Sequence, residues 1–327
     1  MKSYKKGLKI MEFKIYKLIF SSEFHIGNGL LADSEYTMYA DTLFSALCQE
    51  SLKQYGEEGI GNLVEWAEKD QLFLSDGFPY MKDTLFLPKP IGLFQNIQTS
   101  SERKAYKKMK YVPSEYFTAS KMTLEDLLQS GERLEQIGTR RVRMRASIMR
   151  QSEPEPYGIG CFRFKEDNGM YFIIGTEESR QQKHIYQLFK SLKYTGLGGK
   201  VSGGMGQFDF KQMELPQLFL EKICFGIEAE TCNNLMTLSV SLPAEKVQEV
   251  LENSYVSVIK RSGYVASENY TEKMKHVDGF TKKKDSFVFQ AGSCIGKRYK
   301  GSIIDVSDGG MHSVWRYAKS LFWRLDE

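Results

Sequence analysis

The 327-residue chain is predicted to adopt an α+β fold made of two modules in tandem. Two observations support this prediction. Segments in which apolar and polar residues alternate, as in half-buried strands, are separated by segments whose apolar residues recur at helical spacing. This succession of strand and helix patterns starts again after Pro216. A chain of this length has room for two ordinary domains.

The first module opens with a strand over residues 12–26. A helix follows, because Asp41 can cap its N-terminus and the apolar residues from Phe44 onward fall on one stripe. Gly56 is expected to end this helix. Residues 98–122 are polar and basic without a clean period, which predicts a long loop.

The later elements of the first module complete a known topology. Strands at 159–164 and 169–174 are separated by a turn of four polar residues, which predicts a hairpin. A helix over 183–192 and a strand at 207–210 follow. The resulting order is β-α-β-β-α-β with insertions, which is the ferredoxin-like plan.

The second module has a similar order of elements. A strand over 235–242, a short helix over 244–252 and extended segments over 255–265 follow Pro216. We take this module as a second ferredoxin-like domain from the order of its elements, since no sequence repeat between the halves is visible. The predicted division is an N-terminal extension at 1–10, a first domain at 11–215 and a second domain at 216–327.

The composition excludes several classes of protein. Apolar residues make up 41% and charged residues 26% of the chain, as in a folded globular protein. No window approaches 18 consecutive apolar residues and no leader segment is recognisable, so we expect a cytoplasmic protein without membrane contact. The five cysteines form no Cys-x-x-Cys pair, and the carboxylates Asp33 and Glu35 are typical of a solvent-facing loop. We expect no metal and no cofactor.

The most informative segment is rich in glycine. Six of the eleven residues from Gly196 to Gly206 are glycine, which requires positive φ angles or the close approach of another chain. Val201 follows Lys200, where a Walker A loop needs serine or threonine, and it also occupies the third glycine position of a dinucleotide fingerprint. The order of helix, loop and strand fits neither motif. We expect the loop to lie against a phosphate backbone, with Lys200 as its charged contact; a flexible loop or helix cap is the alternative.

Basic residues are concentrated in a chain whose net charge is only +4. Residues 138–151 contain five arginines and no acid, and residues 103–110 contain five basic residues and no acid. Arginine stacks on bases and binds phosphate in a bidentate manner, so the arginine run predicts a nucleic-acid partner. Arg141, Arg143 and Arg145 alternate and are expected on one face of an extended segment. Lys260 and Arg261 form a smaller basic patch. Solvated charged faces are the alternative.

Several segments together resemble the RAMP superfamily of CRISPR proteins, and within it the family that provides the fourth subunit of the type III-A Csm effector complex. The matching segments are FHIGNG at 24–29, DSE at 33–35, DTLFSALC at 41–48, SDGFPY at 75–80, LPKP at 87–90, the glycine loop at 196–208, KRSGYVAS at 260–267 and GGMHSVWRYAK at 309–319. The resemblance implies two RRM-like, ferredoxin-like domains in tandem, with a basic β-hairpin thumb in the arginine run. It also implies that the glycine loop lies against RNA.

The resemblance further implies a non-catalytic subunit that binds CRISPR RNA (crRNA) in antiviral defence. Such a subunit holds the repeat-derived 5′ handle of crRNA and docks the large polymerase-like subunit and the adjacent backbone subunit. The residues that we predict to bind RNA are His25, Arg140, Arg141, Arg143, Arg145, Arg150, Gly196, Gly198, Gly199, Lys200, Ser202, Gly203, Gly204, Gly206, Lys260 and Arg261.

Two other functions stay open. Some relatives in the superfamily process crRNA with a catalytic histidine, and His25 is the candidate for such a metal-independent endoribonuclease. A general base needs a partner, however, and His184 and His312 are distant in the sequence. The other reading of His25 is a packing or hydrogen-bonding role at the RNA-facing surface. The second alternative function is a purely structural assembly subunit whose neighbours make the RNA contacts.

Overall fold

The structure is a computed structural model of the chain. It describes residues 11–27, 29–92, 99–118, 123–147, 153–224, 234–267, 270–271 and 281–325. The predicted extension at 1–10 and the predicted RNA-binding residue Arg150 lie outside the described residues.

The α+β class is confirmed by the elements of the structure. Those of the first half are β1 (Glu12–Phe20), α1 (Ala40–Glu68), β2 (Leu72–Leu74), β3 (Phe78–Met81), β4 (Thr84–Pro88), α2 (Ser100–Lys108), β5 (Tyr111–Pro113), α3 (Leu124–Glu135), β6 (Gly138–Ser147), β7 (Glu155–Phe164), β8 (Asn168–Thr176), α4 (Ser179–Thr195) and β9 (Phe208–Glu214). Those of the second half are α5 (Gln217–Lys222), β10 (Ile223–Cys224), β11 (Leu235–Thr237), α6 (Val247–Leu251), β12 (Val258–Arg261), β13 (Ser286–Phe289), β14 (Cys294–Ile295), β15 (Ser302–Asp305), β16 (Trp315–Ala318) and β17 (Phe322–Arg324).

The central sheet is antiparallel and has the order β5-β4-β3-β8-β1-β9, with β2 also paired to β8. In the middle of β1, Ile15 lies opposite Ile173 of β8 on one side and Met213 of β9 on the other. The elements β1, α1, β2, β8, α4 and β9 follow one another along the chain as β-α-β-β-α-β, and their strands are arranged as β9-β1-β8-β2. Strands β3, β4 and β5 extend this sheet beyond β8, whereas β6 and β7 are not part of it.

Alternation along the strands divides the side chains between the two faces of the sheet. Tyr16 lies in a core cluster with residues of α1 and α4, whereas Ile15 and Ile173 lie in a second cluster with residues of α2, α3 and α5. The second half contributes to both clusters, with Tyr317 in the first and Trp323 in the second. The second half is therefore packed against both faces of the sheet, and the division between 215 and 216 stays a prediction.

The helix that was expected to end at Gly56 continues beyond it. Gly56 has φ 67° and ψ −159°, which kinks α1, but the helix resumes and ends at Glu68. Leu63 and Trp66 lie beyond the kink and are buried in the core. The glycine correctly predicts an interruption of the helical backbone, but the helix resumes because the residues after Gly56 pack into the core.

The predicted loop at 98–122 is also wrong, because it contains α2 and β5. Thr99 and Glu102 form a capping box at the start of α2, with each side chain bonded to the other's backbone N–H. Tyr106 is the buried residue of this helix. With a single apolar anchor, α2 has no stripe that periodicity could detect.

The predicted hairpin of β7 with β8 is not formed. Instead, β6 and β7 make a separate antiparallel ribbon, in which Gly138 lies opposite Phe164 and Ser147 lies opposite Glu155. Every residue of β8 is buried, and this strand pairs with β1, β2 and β3 inside the central sheet. The sequence pattern identified both strands but contains no information on which strand pairs with which.

Asp76 is a buried carboxylate between the two halves. Its Oδ1 accepts hydrogen bonds from the N–H of Ala40 at the start of α1 (2.8 Å) and from the N–H of Val240 in the second half (3.1 Å). Burial raises the pKa of Asp76 to about 7, although these two hydrogen bonds act in the opposite direction. The carboxyl group therefore titrates near neutral pH while it joins the halves.

We expect Asp76 to make the protein less stable as the pH rises from the ordinary aspartate value of 3.8 to about 7. In this range the folded carboxyl group keeps a proton that the unfolded one has lost, so the free energy of unfolding falls by up to about 1.4 kcal/mol per pH unit. Asp76→Asn keeps an oxygen acceptor but cannot ionise. In urea titrations, the wild-type free energy of unfolding minus that of Asp76→Asn should fall across this range, and a flat difference would contradict the assignment.

Candidate nucleic-acid interface

The glycine loop joins α4 to β9 and contains four glycines in the left-handed region. The φ angles are 91° at Gly196, which caps α4, 98° at Gly198, 78° at Gly204 and 76° at Gly206. Lys200 is also left-handed, with φ 61°, and its side chain is exposed. Positive φ thus explains the glycine at four of the six positions.

A close contact with the buried His25 ring explains Gly199, whereas Gly203 lies beside the exposed guanidinium of Arg145. A Cβ at Gly199 would lie 2.8 Å from the imidazole Cδ2 of His25, and one at Gly203 would lie 2.9 Å from the guanidinium of Arg145. The N–H of Gly199 also donates to the carbonyl of His25 (2.7 Å), and that of Gly206 donates to the carbonyl of Glu23 (2.9 Å). These N–H groups bind the protein itself, so the loop presents mainly the Lys200 side chain and its immediate neighbours outward.

A cleft of about 1970 Å³ lies beside this loop. It is bordered by His25, by the loop from Gly196 to Val201, by α2, and by Lys260 and Arg261 of β12. The cleft therefore brings together four of the eight predicted loop residues and both residues of the smaller basic patch. Ser202, Gly203, Gly204 and Gly206 lie outside its lining.

The lining of the cleft is basic. Among the described residues, ten lysines and arginines line it against five aspartates and glutamates. The carboxylates are occupied: Asp41 pairs with Arg261 (2.8 Å), and Asp285 pairs with Lys260 (2.7 Å). Glu35 lies 3.4 Å from Lys110, and Glu50 accepts from Lys53 and Ser191. Asp76 is the remaining acid, described above.

Three exposed lysines of the cleft form no ion pair with any described residue. They are Lys107 of α2, Lys200 of the loop and Lys282. Burial lowers the pKa of Lys89 to about 8 and also lowers that of Lys283, so these two amines lose their proton more readily than an exposed lysine does. The unpaired positive charge of the cleft is therefore concentrated at its exposed edge.

Arg261 differs from the other predicted contacts. Its Nε and Nη2 donate to the two carboxylate oxygens of Asp41, at 2.9 and 2.8 Å, and its guanidinium lies 4.2 Å from the ring centroid of Tyr39. Arg316 adds a second guanidinium 3.6 Å from the same carboxylate. Arg261 thus belongs to a largely buried ion-pair cluster with Asp41 and Arg316, and a phosphate would have to compete with Asp41 for its guanidinium.

The described part of the arginine run, Gly138–Ser147, forms the exposed strand β6. The Nε of Arg143 lies 2.8 Å from a carboxylate oxygen of Glu23, and Arg141 lies 4.0 Å from the same carboxylate. Arg145 lies against Gly203 of the glycine loop. Arg140 is on the other face, with its guanidinium 6.0 Å from the ring of Tyr36. The alternation expected for residues 141, 143 and 145 is therefore present, and this face meets the loop.

His25 lies beneath the glycine loop. It is 7% exposed, and its Nδ1 lies 2.7 Å from the carbonyl oxygen of Gly160 on β7. The backbone carbonyl of His25 accepts a hydrogen bond from the N–H of Gly199, and the two residues form an isolated antiparallel β-bridge beyond the end of β1. Sequence reasoning thus selected a residue that the structure places at the cleft.

The sequence prediction omitted several cleft residues. Arg103, Lys107 and Lys110 belong to the basic run at 103–110, which was noted but not assigned to the site. Lys282 and Lys283 lie in a run of three lysines at 282–284. Both basic runs lack acidic residues, and this feature of the sequence could have identified them as parts of the site.

Two features are absent from the described ranges. No helix there is long and apolar enough to cross a membrane. No group of three or more His, Cys, Asp or Glu residues there is placed to hold a metal ion.

Comparison with known proteins gives the family. Residues 230–325 match the model of the CRISPR Csm4 C-terminal domain. The chain is 32% identical over 305 residues to a Mycobacterium tuberculosis protein named "CRISPR system Cms protein Csm4", with 93% of this chain and 95% of that protein covered. The chain belongs to the Csm4 family. The resemblance to the fourth Csm subunit of type III-A systems is thereby confirmed.

Other members of the Csm4 family match the chain over its length. A Streptococcus thermophilus Csm4 protein is 29% identical, with 97% of this chain and 100% of that protein covered. The fold is similar to a chain in the crystal structure of a type III-A Csm3-Csm4 subcomplex, with TM-score 0.65, 17% identity and coverage of 97% and 100%. It is also similar to a chain in a Csm1-Csm4 cassette in complex with pppApA, with TM-score 0.58, 19% identity and coverage of 96% and 98%.

Two glycines of the loop offer a matched test of its geometry. Gly204 and Gly206 have nearly equal positive φ, but a Cβ at Gly204 meets nothing within 4 Å, whereas one at Gly206 would collide with the carbonyl of Leu197. We expect Gly204→Ala to cost about 1–2 kcal/mol of unfolding free energy, from backbone strain alone. Gly206→Ala should cost distinctly more, because the loop must also open. Equal losses in urea titrations would show that the loop does not close on itself in this way.

Proposed function

We propose that this Csm4-family chain is a non-catalytic subunit of a type III-A Csm effector complex, and that its basic cleft holds the repeat-derived 5′ handle of crRNA. The observation that carries the proposal is the excess of lysine and arginine over carboxylate in a cleft beside the glycine loop. Single-stranded nucleic acid binds in positively charged grooves that follow its backbone. The proposed activity needs no cofactor and belongs to antiviral defence in the cytoplasm.

We further propose that the two halves are tandem ferredoxin-like domains and that the β6–β7 ribbon is the basic thumb. The strand order β9-β1-β8-β2 supports the first part for the N-terminal half. The contact between Arg145 and Gly203 supports the second, because it places the arginine face beside the glycine loop. A strand of RNA that leaves the cleft past Lys200 would meet these arginines next.

The partners follow from the matched structures, which contain Csm3 in one case and Csm1 in another. We propose that this chain docks an adjacent backbone subunit of the Csm3 kind and a large polymerase-like subunit of the Csm1 kind. Exposed apolar side chains away from the cleft are available for such contacts. Val142 and Met144 on β6 are 55% and 67% exposed, and Leu220 on α5 is 55% exposed.

The salt dependence of RNA binding tests the cleft. The variant Lys107→Ala/Lys200→Ala/Lys282→Ala removes the three exposed lysines without an ion-pair partner. Each phosphate contact on a single strand contributes about 0.7 to the slope of log K against log salt, so the slope should decrease by about 2. Fluorescence anisotropy with labelled single-stranded repeat RNA at a series of KCl concentrations would measure it.

A second triple variant provides the control. Lys183, Lys190 and Lys211 are exposed on α4 and β9 and do not line the cleft, so their replacement by alanine removes the same charge elsewhere. This variant should keep a slope close to that of the wild type. If both variants change the slope equally, the RNA has no preferred path through the cleft. If neither changes it, the purely structural assembly subunit becomes the better reading.

The purified chain is expected to leave repeat RNA uncut. The Nδ1 of His25 is engaged by the carbonyl of Gly160, and the carboxylates Asp41, Asp285 and Glu35 of the cleft are paired with cations. These three described carboxylates are therefore not free to act as the partner of His25 in general acid–base catalysis. Incubation with end-labelled repeat RNA in EDTA would test this. Specific cleavage by the wild type that disappears in His25→Ala would establish the metal-independent endoribonuclease instead.

A further inference from the structure

His25 presents one unused polar atom at the cleft. The ring is 7% exposed, and Nδ1 lies 2.7 Å from the carbonyl oxygen of Gly160. A carbonyl oxygen can only accept, so Nδ1 carries the proton of this hydrogen bond. In the neutral ring, Nε2 is then a fixed acceptor. Nε2 has no hydrogen-bond partner among the described residues, although His25 lines the cleft.

Two glycines leave the edge of this ring uncovered. Gly27 lies beside Nε2, since a Cβ built there would be 3.3 Å from that atom. Gly199 lies beside Cδ2, since a Cβ there would be 2.8 Å away. Both glycines line the cleft. A side chain at either position would crowd the imidazole, so the bare backbone keeps a narrow approach to Nε2 open.

The hydrogen-bonding character of Nε2 restricts what it can bind. Phosphate oxygens are acceptors and cannot donate to it, which separates His25 from the lysines at the rim of the cleft. RNA bases carry amino groups, and sequence-specific recognition of single strands uses hydrogen bonds to such base edges. A flat base edge also fits an approach bounded by two glycines.

We propose that His25 is a specificity-determining residue, whose Nε2 accepts a hydrogen bond from the amino group of one base of the bound RNA. This inference rests on the proposed function, because it requires RNA in the cleft. The inference adds that the cleft recognises one base of the RNA, in addition to binding its phosphate backbone. The contact gives selectivity, while the lysines give affinity.

Selection from a randomised single-stranded RNA pool tests the proposal without knowledge of the handle sequence. The wild-type chain should enrich, at one position, a nucleotide that carries an amino group. His25→Phe keeps the ring shape but removes the acceptor, and Gly27→Ala keeps the imidazole but covers Nε2. Both variants should lose this preference by about two- to tenfold, the contribution of one hydrogen bond.

The matched control is Gly61→Ala, at an exposed helical glycine of α1 where a Cβ meets nothing within 4 Å. It should keep the preference. Replacement of the selected base by its analogue without the amino group should weaken binding to the wild type and leave binding to His25→Phe unchanged. A 2′-deoxy substitution at the same position should have no such effect.

The outcomes separate this inference from the proposed function. If the wild type does not bind the pool at low salt, the proposed function fails, and this inference fails with it. If the wild type binds but both variants keep its base preference, only the reading of a base by His25 is overturned. A selected uridine, which has no amino group, or a dependence on the 2′-hydroxyl that the variants remove, would overturn it in the same way.

Discussion

The start of α1 holds the two halves of the chain together through buried carboxylates. Asp41 receives two hydrogen bonds from Arg261 and lies 3.6 Å from Arg316, and Asp76 accepts the N–H groups of the first helical residue and of Val240. Loss of one member of a buried ion pair costs about 3–5 kcal/mol, because it leaves an uncompensated charge. The cleft lies between elements of both halves, so its width depends on these contacts.

The same junction shapes the electrostatics of the cleft. Asp41 neutralises guanidinium groups deep in the wall, and the pKa of Asp76 is raised by burial, which limits its negative charge near neutral pH. The acids of the lining are thereby used for structure. Lys107, Lys200 and Lys282, which form no ion pair with any described residue, remain exposed at the rim. The paired charges of the cleft thus include the buried ones, and the unpaired charges are exposed to solvent.

Features that depend on neighbouring residues could be predicted from the sequence. The glycine loop was identified from its glycine content, and four of these glycines have positive φ. Arg141, Arg143 and Arg145 were assigned to one face because side chains alternate along a strand. The pairing of β7 and the helix α2 could not be predicted. The partner of β7 is set by the burial of β8 in the central sheet, and α2 has Tyr106 as its buried residue.

The sequence by itself determined that the chain is an α+β protein, that its loop at 196–206 has an unusual backbone, and that it resembles the family to which it belongs. Only the tertiary structure decided which distant segments meet. It placed the basic run at 103–110 and the lysines at 282–284 beside the glycine loop, and it gave His25 the carbonyl of Gly160 as a partner. Local spacing records backbone conformation and amphipathic faces, whereas contacts between distant segments depend on how those faces pack together.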